Sequence, residues 1–97
     1  VAGVQTCALP IFLGIAYEQE NQWSEAEAIY LRIADRSDLD FQVRDALRSA
    51  ARIRAERGDA AGAIELYERV LSEMEENAAD RGVFEMRIQE LMTAATT

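Results

Sequence analysis

Two arginines one helical turn apart, Arg48 and Arg52, are the residues of this chain best spaced to do chemistry. At i and i+4 they share one helix face. Each guanidinium offers a rigid fork of donors, so the pair could clamp a carboxylate or an acidic peptide. Their neighbours supply the alternative. Asp45 lies three residues before Arg48 and Glu56 four after Arg52, which is the spacing of ordinary surface ion pairs worth a few tenths of a kcal/mol each. On spacing alone the ion-pair reading is the stronger. The acidic run Glu73, Glu75, Glu76 could attract a divalent cation, but it lacks the alternating oxygen ligands and the glycine turn of a metal loop, so it reads as a solvated helix end.

Catalytic chemistry has little material to work with. There is no histidine and one cysteine, Cys7, which removes most nucleophile–base pairs and most transition-metal sites. No glycine-rich phosphate loop and no nucleophile motif is present. The expectation is a non-enzyme with no cofactor and no metal. The net charge of −8 should repel nucleic acid and anionic lipid. All ten basic residues are arginine, which we read as the codon bias of a GC-rich genome. No apolar run approaches the roughly 20 residues that span a bilayer, so no membrane contact is expected from these residues.

The elements that must position Arg48 and Arg52 follow from the apolar spacing. Ninety-seven residues, with 49% apolar content, one proline and five glycines, suit one small helical domain. A first helix runs from Phe12 to about Glu20, with Leu13, Ala16 and Tyr17 on one face. Asn21-Gln22-Trp23 makes a turn, across which Trp23 packs. Ser24 and Glu27 fit a capping box for a second helix that buries Ala26, Ile29, Tyr30 and Ile33 and ends near Arg36. Asp40 is the expected N-cap of a third helix, Phe41 to Arg57, with Val43, Ala46, Leu47, Ala50 and Ile53 inward. Gly58 suits a left-handed stop, and Asp59 can cap a fourth helix running to about Glu76. That helix carries Ala63, Leu66, Tyr67, Val70, Leu71 and Met74, and its three glutamates should fray its end. A fifth helix, Arg81 to Thr93, shows Phe84, Ile88, Leu91 and Met92, followed by a loose terminus. The tyrosines and Met74, Met86 and Met92 are expected in the core.

The segment Gly3 to Ile11 has a separate reading. It back-translates in frame to a widely used short-read sequencing adapter, so residues 1–11 are expected to be foreign sequence joined to a truncated reading frame. Cys7 would then not be a functional thiol, and the natural protein would continue upstream of Phe12.

The inferred helices form a pattern that occurs twice, 37 residues apart. Leu13-Gly14, Tyr17, Ala26 and Tyr30 make the first copy; Gly58-Asp59, Ala63-Ile64 and Tyr67 make the second. This resembles the tetratricopeptide repeat, a helix–turn–helix unit of roughly 34 residues that stacks on its neighbours. Two departures stand out. Arg54 replaces the aromatic of the first helix, and Ala50-Ala51 replaces Leu-Gly. The resemblance implies an all-α solenoid of five helices: repeat one at 12–37, repeat two at 41–76 and a closing helix at 81–93, as a single domain over 12–97. It implies a non-catalytic protein–protein interaction scaffold whose first helices line a peptide groove. Transferred by register, the groove candidates are Ile15, Glu18, Gln19, Asp45, Arg48, Arg52, Glu56, Met86 and Gln89. Phe84 to Leu91 is also similar to the last helix of bacterial envelope proteins of this type that are anchored in the inner membrane, some of them associated with the export channel and periplasmic chaperones. That likeness implies a periplasmic tail as one alternative. A structural cap or self-association segment of a longer solenoid is another.

Overall fold

The computed structural model describes the backbone of residues 8–96 and the side chains of residues 11–94. Of residues 1–11, expected to be foreign, residues 1–7, with Cys7 among them, lie outside the described residues. The rest forms α1 (Ala8–Gln19), α2 (Trp23–Arg36), α3 (Asp40–Glu56), α4 (Ala60–Ser72) and α5 (Arg81–Thr96), with no strand among the described residues. Each helix packs on the next in sequence: α1 on α2, α2 on α3, α3 on α4, α4 on α5. This is the stacking of a helical repeat, in which no pair can bury its apolar stripe unaided.

The same turn joins both helix pairs. After α3, Gly58 N–H donates to the Ala55 carbonyl (3.1 Å) and Asp59 N–H to the Arg54 carbonyl (2.8 Å). These are the two bonds of a Schellman motif, which needs a left-handed residue at C′. Gly58 supplies it at φ 88°. After α1, Asn21 N–H donates to Glu18 (3.0 Å) and Gln22 N–H to Tyr17 (2.8 Å), with Asn21 at φ 60°. Asparagine is one of the few residues besides glycine that visits this region readily.

Alanines let the helices approach. Ala26, Ala50, Ala51 and Ala63 are fully buried, and Leu47, Ile53 and Val70 are the largest side chains buried completely, each worth about 1.5–3 kcal/mol of transfer free energy. The expected inward stripes of α2, α3 and α4 hold, with Ile29 and Leu71 half-buried. Trp23 packs against the core as expected.

Several local expectations fail for identifiable reasons. On α1 the buried position is Gly14, whereas Leu13 and Ala16 are exposed. A Cβ on Gly14 would lie 2.8 Å from Cε1 of Tyr30, so the glycine edge, one residue on from the expected stripe, is what lets α1 dock. The capping box at α2 does not form. The helix begins at Trp23, before Ser24, and has no side-chain cap. Ser24 Oγ instead accepts from Arg57 (3.1 Å), and Glu27 pairs with Arg54 (3.3 Å). Thus the arginine that replaced an aromatic ties the second repeat to the first. Asp40 is the first residue of α3, not its cap; Ser37 Oγ organises that turn by accepting from Leu39 N–H (3.1 Å) and donating to Gln42 (2.7 Å). Asp59 does cap α4, accepting from Gly62 N–H at 2.9 Å.

At the other end, α4 stops at Ser72, four residues early. Its last carbonyls find a partner across the connection, where the Arg81 guanidinium donates to Leu71 O (3.1 Å) and Met74 O (3.4 Å). α5 continues three residues beyond its expected end. It buries Phe84 and half-buries Ile88 and Leu91, but Met92 is 49% exposed and Met86 63%, so neither methionine belongs to the core.

Candidate functional site

α1, α3 and α5 share one face of the stack, and two successive clefts open on it. The first, about 250 Å³, lies between α1 and α3 above Tyr30 and Ile33; its walls include Ile15 and Glu18 on one side and Asp45, Arg48 and Arg52 on the other. The second, about 740 Å³, lies between α3 and α5 above Tyr67; its walls include Arg48, Arg52 and Glu56 on one side and Val83, Arg87 and Leu91 on the other. The ridge of α3 therefore serves both clefts.

Six of the nine groove candidates, Ile15, Glu18, Asp45, Arg48, Arg52 and Glu56, come together on this face. Gln19 is exposed but lines neither cleft. Met86 and Gln89 sit in a separate shallow hollow with Glu90 and Thr93 on the adjoining edge of α5, Glu90 also bordering the second cleft. They were expected to line the groove from the final helix, but the wall that closes the second cleft is a different edge of that helix. The positions 37 residues beyond Ala46, Leu47 and Ala50 are Val83, Phe84 and Arg87, and these face α3. Adding the repeat offset to the buried side of α3 would have found them. Tyr67, expected as a core wedge, is also the floor of the second cleft.

Arg48 and Arg52 are not two free forks. Arg48 pairs with Asp45 at 2.8 Å, and Arg52 approaches Glu56 at 3.8 Å, as the ion-pair reading expected. The stronger bond of Arg52 is one the sequence did not announce: Nη2 donates to Oε1 of Glu18 at 2.8 Å, across 34 residues. The other carboxylate oxygen of Glu18 accepts from the Tyr30 hydroxyl at 2.5 Å. The first cleft is thereby bridged by a Tyr30–Glu18–Arg52 chain of charge-assisted hydrogen bonds. Burial and then the Glu18 bond push the Tyr30 hydroxyl pKa well above its ordinary value. Burial opposes the Arg52 charge, but Glu18 more than compensates, and its pKa is raised too.

The second cleft is built differently. Tyr67 is 5% exposed, stacked at a tilt on Phe84 with ring centroids 6.1 Å apart. Its hydroxyl makes no hydrogen bond among the described residues. Burial raises its pKa, while Arg87, Arg52 and Arg48, in that order, pull it back. Three guanidinium groups, opposed by Glu56, thus bear on one hydroxyl that bonds no described residue in a chain of net charge −8.

Among the described residues no cluster of three or more acidic, cysteine or histidine side chains is arranged to hold a metal, and no helix is long and apolar enough to cross a membrane. No curated protein and no solved structure matches the chain. The sequence model of one family, described as Tetratricopeptide repeat, matches residues 8–42 and again 46–82. The second match begins later than the repeat expected at 41–76 and runs into the first turn of α5. Two matches over most of the chain, two pairs joined by the same Schellman turn and a fully helical stack lead to one conclusion: this protein belongs to the tetratricopeptide repeat family.

Proposed function

We propose that this chain is a non-catalytic protein-interaction scaffold that holds a segment of a partner protein on the α1–α3–α5 face. The observation that supports it most is the second cleft. It is large enough for several side chains of a peptide, it combines the apolar Val83, Leu91 and Phe84 with charged rims, and its walls come from successive first helices. The test is a selection of random dodecapeptides on the folded protein. Binding sequences should be recovered, and Glu56→Trp, which fills the cleft rim, should weaken them at least about tenfold. Glu68→Trp, on the exposed side of α4, should not. Equal binding by both variants would remove the groove from the account.

One observation favours a second reading, self-association. Val83 and Met86, three residues apart and so adjacent on one edge of α5, form a short exposed apolar strip at 56% and 63%, with Met92 (49%) on the opposite edge. Exposed apolar strips of this kind mark contact surfaces. Sedimentation of the protein from micromolar to millimolar concentration distinguishes the two: a monomer throughout leaves only the groove.

A further inference from the structure

The connection from α2 to α3 presents an apolar pair that the packing does not use. Leu39 and Phe41 stand either side of Asp40, the first residue of α3, at 46% and 58% exposure, and neither lines a cleft. The turn fixes them there. Ser37 Oγ accepts from Leu39 N–H at 3.1 Å and donates to the Gln42 side chain at 2.7 Å. The Leu39 carbonyl accepts from the backbone N–H groups of Gln42 (3.0 Å) and Val43 (3.1 Å). Two large apolar side chains are therefore held out to water on an ordered backbone, which lowers the entropic cost of binding through them. The repeat itself does not require them. The positions 37 residues on hold Glu76, which is exposed, and Ala78, which is half-buried against the core.

The surroundings of the pair are acidic. Arg69 in the last turn of α4 donates to Asp35 in the last turn of α2 at 3.0 Å, so these helices end side by side and both connections leave at one end of the stack. Residues 35–41 and 69–81 carry seven acidic side chains against three arginines, which concentrates half of the net charge of −8 at that end. Two of the three arginines are already engaged, Arg69 with Asp35 and Arg81 with Glu85 and the carbonyls of Leu71 and Met74.

We propose that Leu39 and Phe41 form a docking point, separate from the groove, for a basic amphipathic segment of a partner protein. Apolar side chains of that segment seat on the pair, and its lysines or arginines face Asp38, Asp40 and the α4–α5 connection. Charge complementarity selects this occupant. A second copy docking through the same end would set one acidic surface against another, and the same charge repels nucleic acid and anionic lipid.

The test uses two synthetic amphipathic peptides of about four helical turns, one of leucine and lysine, the other with glutamate for every lysine, titrated into the whole protein by calorimetry. The lysine peptide should bind and the glutamate peptide should not. Leu39→Ser with Phe41→Ser should weaken binding about tenfold or more. Asp38→Asn with Asp40→Asn should weaken it about threefold at low salt, with the loss shrinking as salt is raised. Glu65→Gln with Glu68→Gln, which removes two charges from the exposed side of α4, should leave it nearly unchanged. Circular dichroism checks that each variant keeps its helices. Should the serine pair lose them, the asparagine pair decides, together with backbone NMR of the bound wild type, whose largest shifts should fall at residues 37–42. No binding of the lysine peptide, unchanged binding by the serine pair, equal losses in the two acid-to-amide pairs, or shifts centred on Arg48 and Arg87 would overturn the docking point and leave the groove reading as it stands. So would self-association of the wild type that the serine pair abolishes, since that gives the apolar pair to a second copy.

Discussion

The same substitution at the two register-equivalent tyrosines should have unequal effects. Tyr30→Phe removes an O–H that donates to the Glu18 carboxylate at 2.5 Å inside a site where Glu18 is 16% exposed. Hydrogen bonds to charged groups contribute about 1.5–3 kcal/mol net. Glu18 keeps its bond to Arg52 and is not fully dry, which places the cost toward the lower end, about 1–2 kcal/mol. For a domain of this size each kcal/mol moves the midpoint by about 4–8 °C, so Tyr30→Phe should melt roughly 4–16 °C below wild type. Tyr67→Phe removes a hydroxyl that bonds nothing among the described residues, so the change should stay within about 0.5 kcal/mol. Thermal melts followed by circular dichroism at 222 nm, with urea titrations to confirm unchanged m-values, measure both. Equal losses, or a neutral Tyr30→Phe, would refute the claim that the two clefts differ in their internal partners.

Three further outcomes follow from the packing and the charges. Gly14→Ala places a methyl 2.8–2.9 Å from the Tyr30 ring, which is wedged in the core, so overpacking should cost about 1–3 kcal/mol by urea denaturation. Asp59→Ala removes a formed N-cap and should cost about 0.5–2 kcal/mol, whereas Ser24→Ala, at the cap that does not form, should be nearly neutral. At alkaline pH both Tyr30 and Tyr67 have pKa values raised above the ordinary 10.0, so the unfolded chain loses protons that the folded chain keeps. Stability should therefore be flat with respect to these groups below about pH 10 and fall as pH rises beyond it, and Tyr30→Phe should reduce that slope in pH-dependent urea melts.

What the sequence made legible was whatever a single helix decides by itself. Apolar spacing located the helices, and Gly58 and Asp59 marked a turn whose chemistry is local. Asn21 carried the same turn signal 37 residues earlier, in a weaker letter. The misreadings share one cause. Ser24 and Glu27 have the spacing of a capping box, but arginines from the next repeat compete for both side chains. The inward edge of α1 is decided by the Tyr30 ring, not by the hydrophobicity of Leu13. The Glu18–Arg52 bond joins residues 34 apart and depends on how two repeats stack, as does the wall of the second cleft, where Val83 and Arg87 lie at the repeat offset from the buried Ala46 and Ala50 rather than from the exposed side of α3.

The most direct test of the account is a titration of the isotopically labelled protein with a selected peptide, followed by backbone and arginine side-chain NMR. Binding in the second cleft predicts shifts at Arg48, Tyr67, Val83 and Arg87, with Ile15 at the bridged first cleft unmoved. Shifts centred on Ile15 and Glu18, or on the Met86 side of α5, would contradict it.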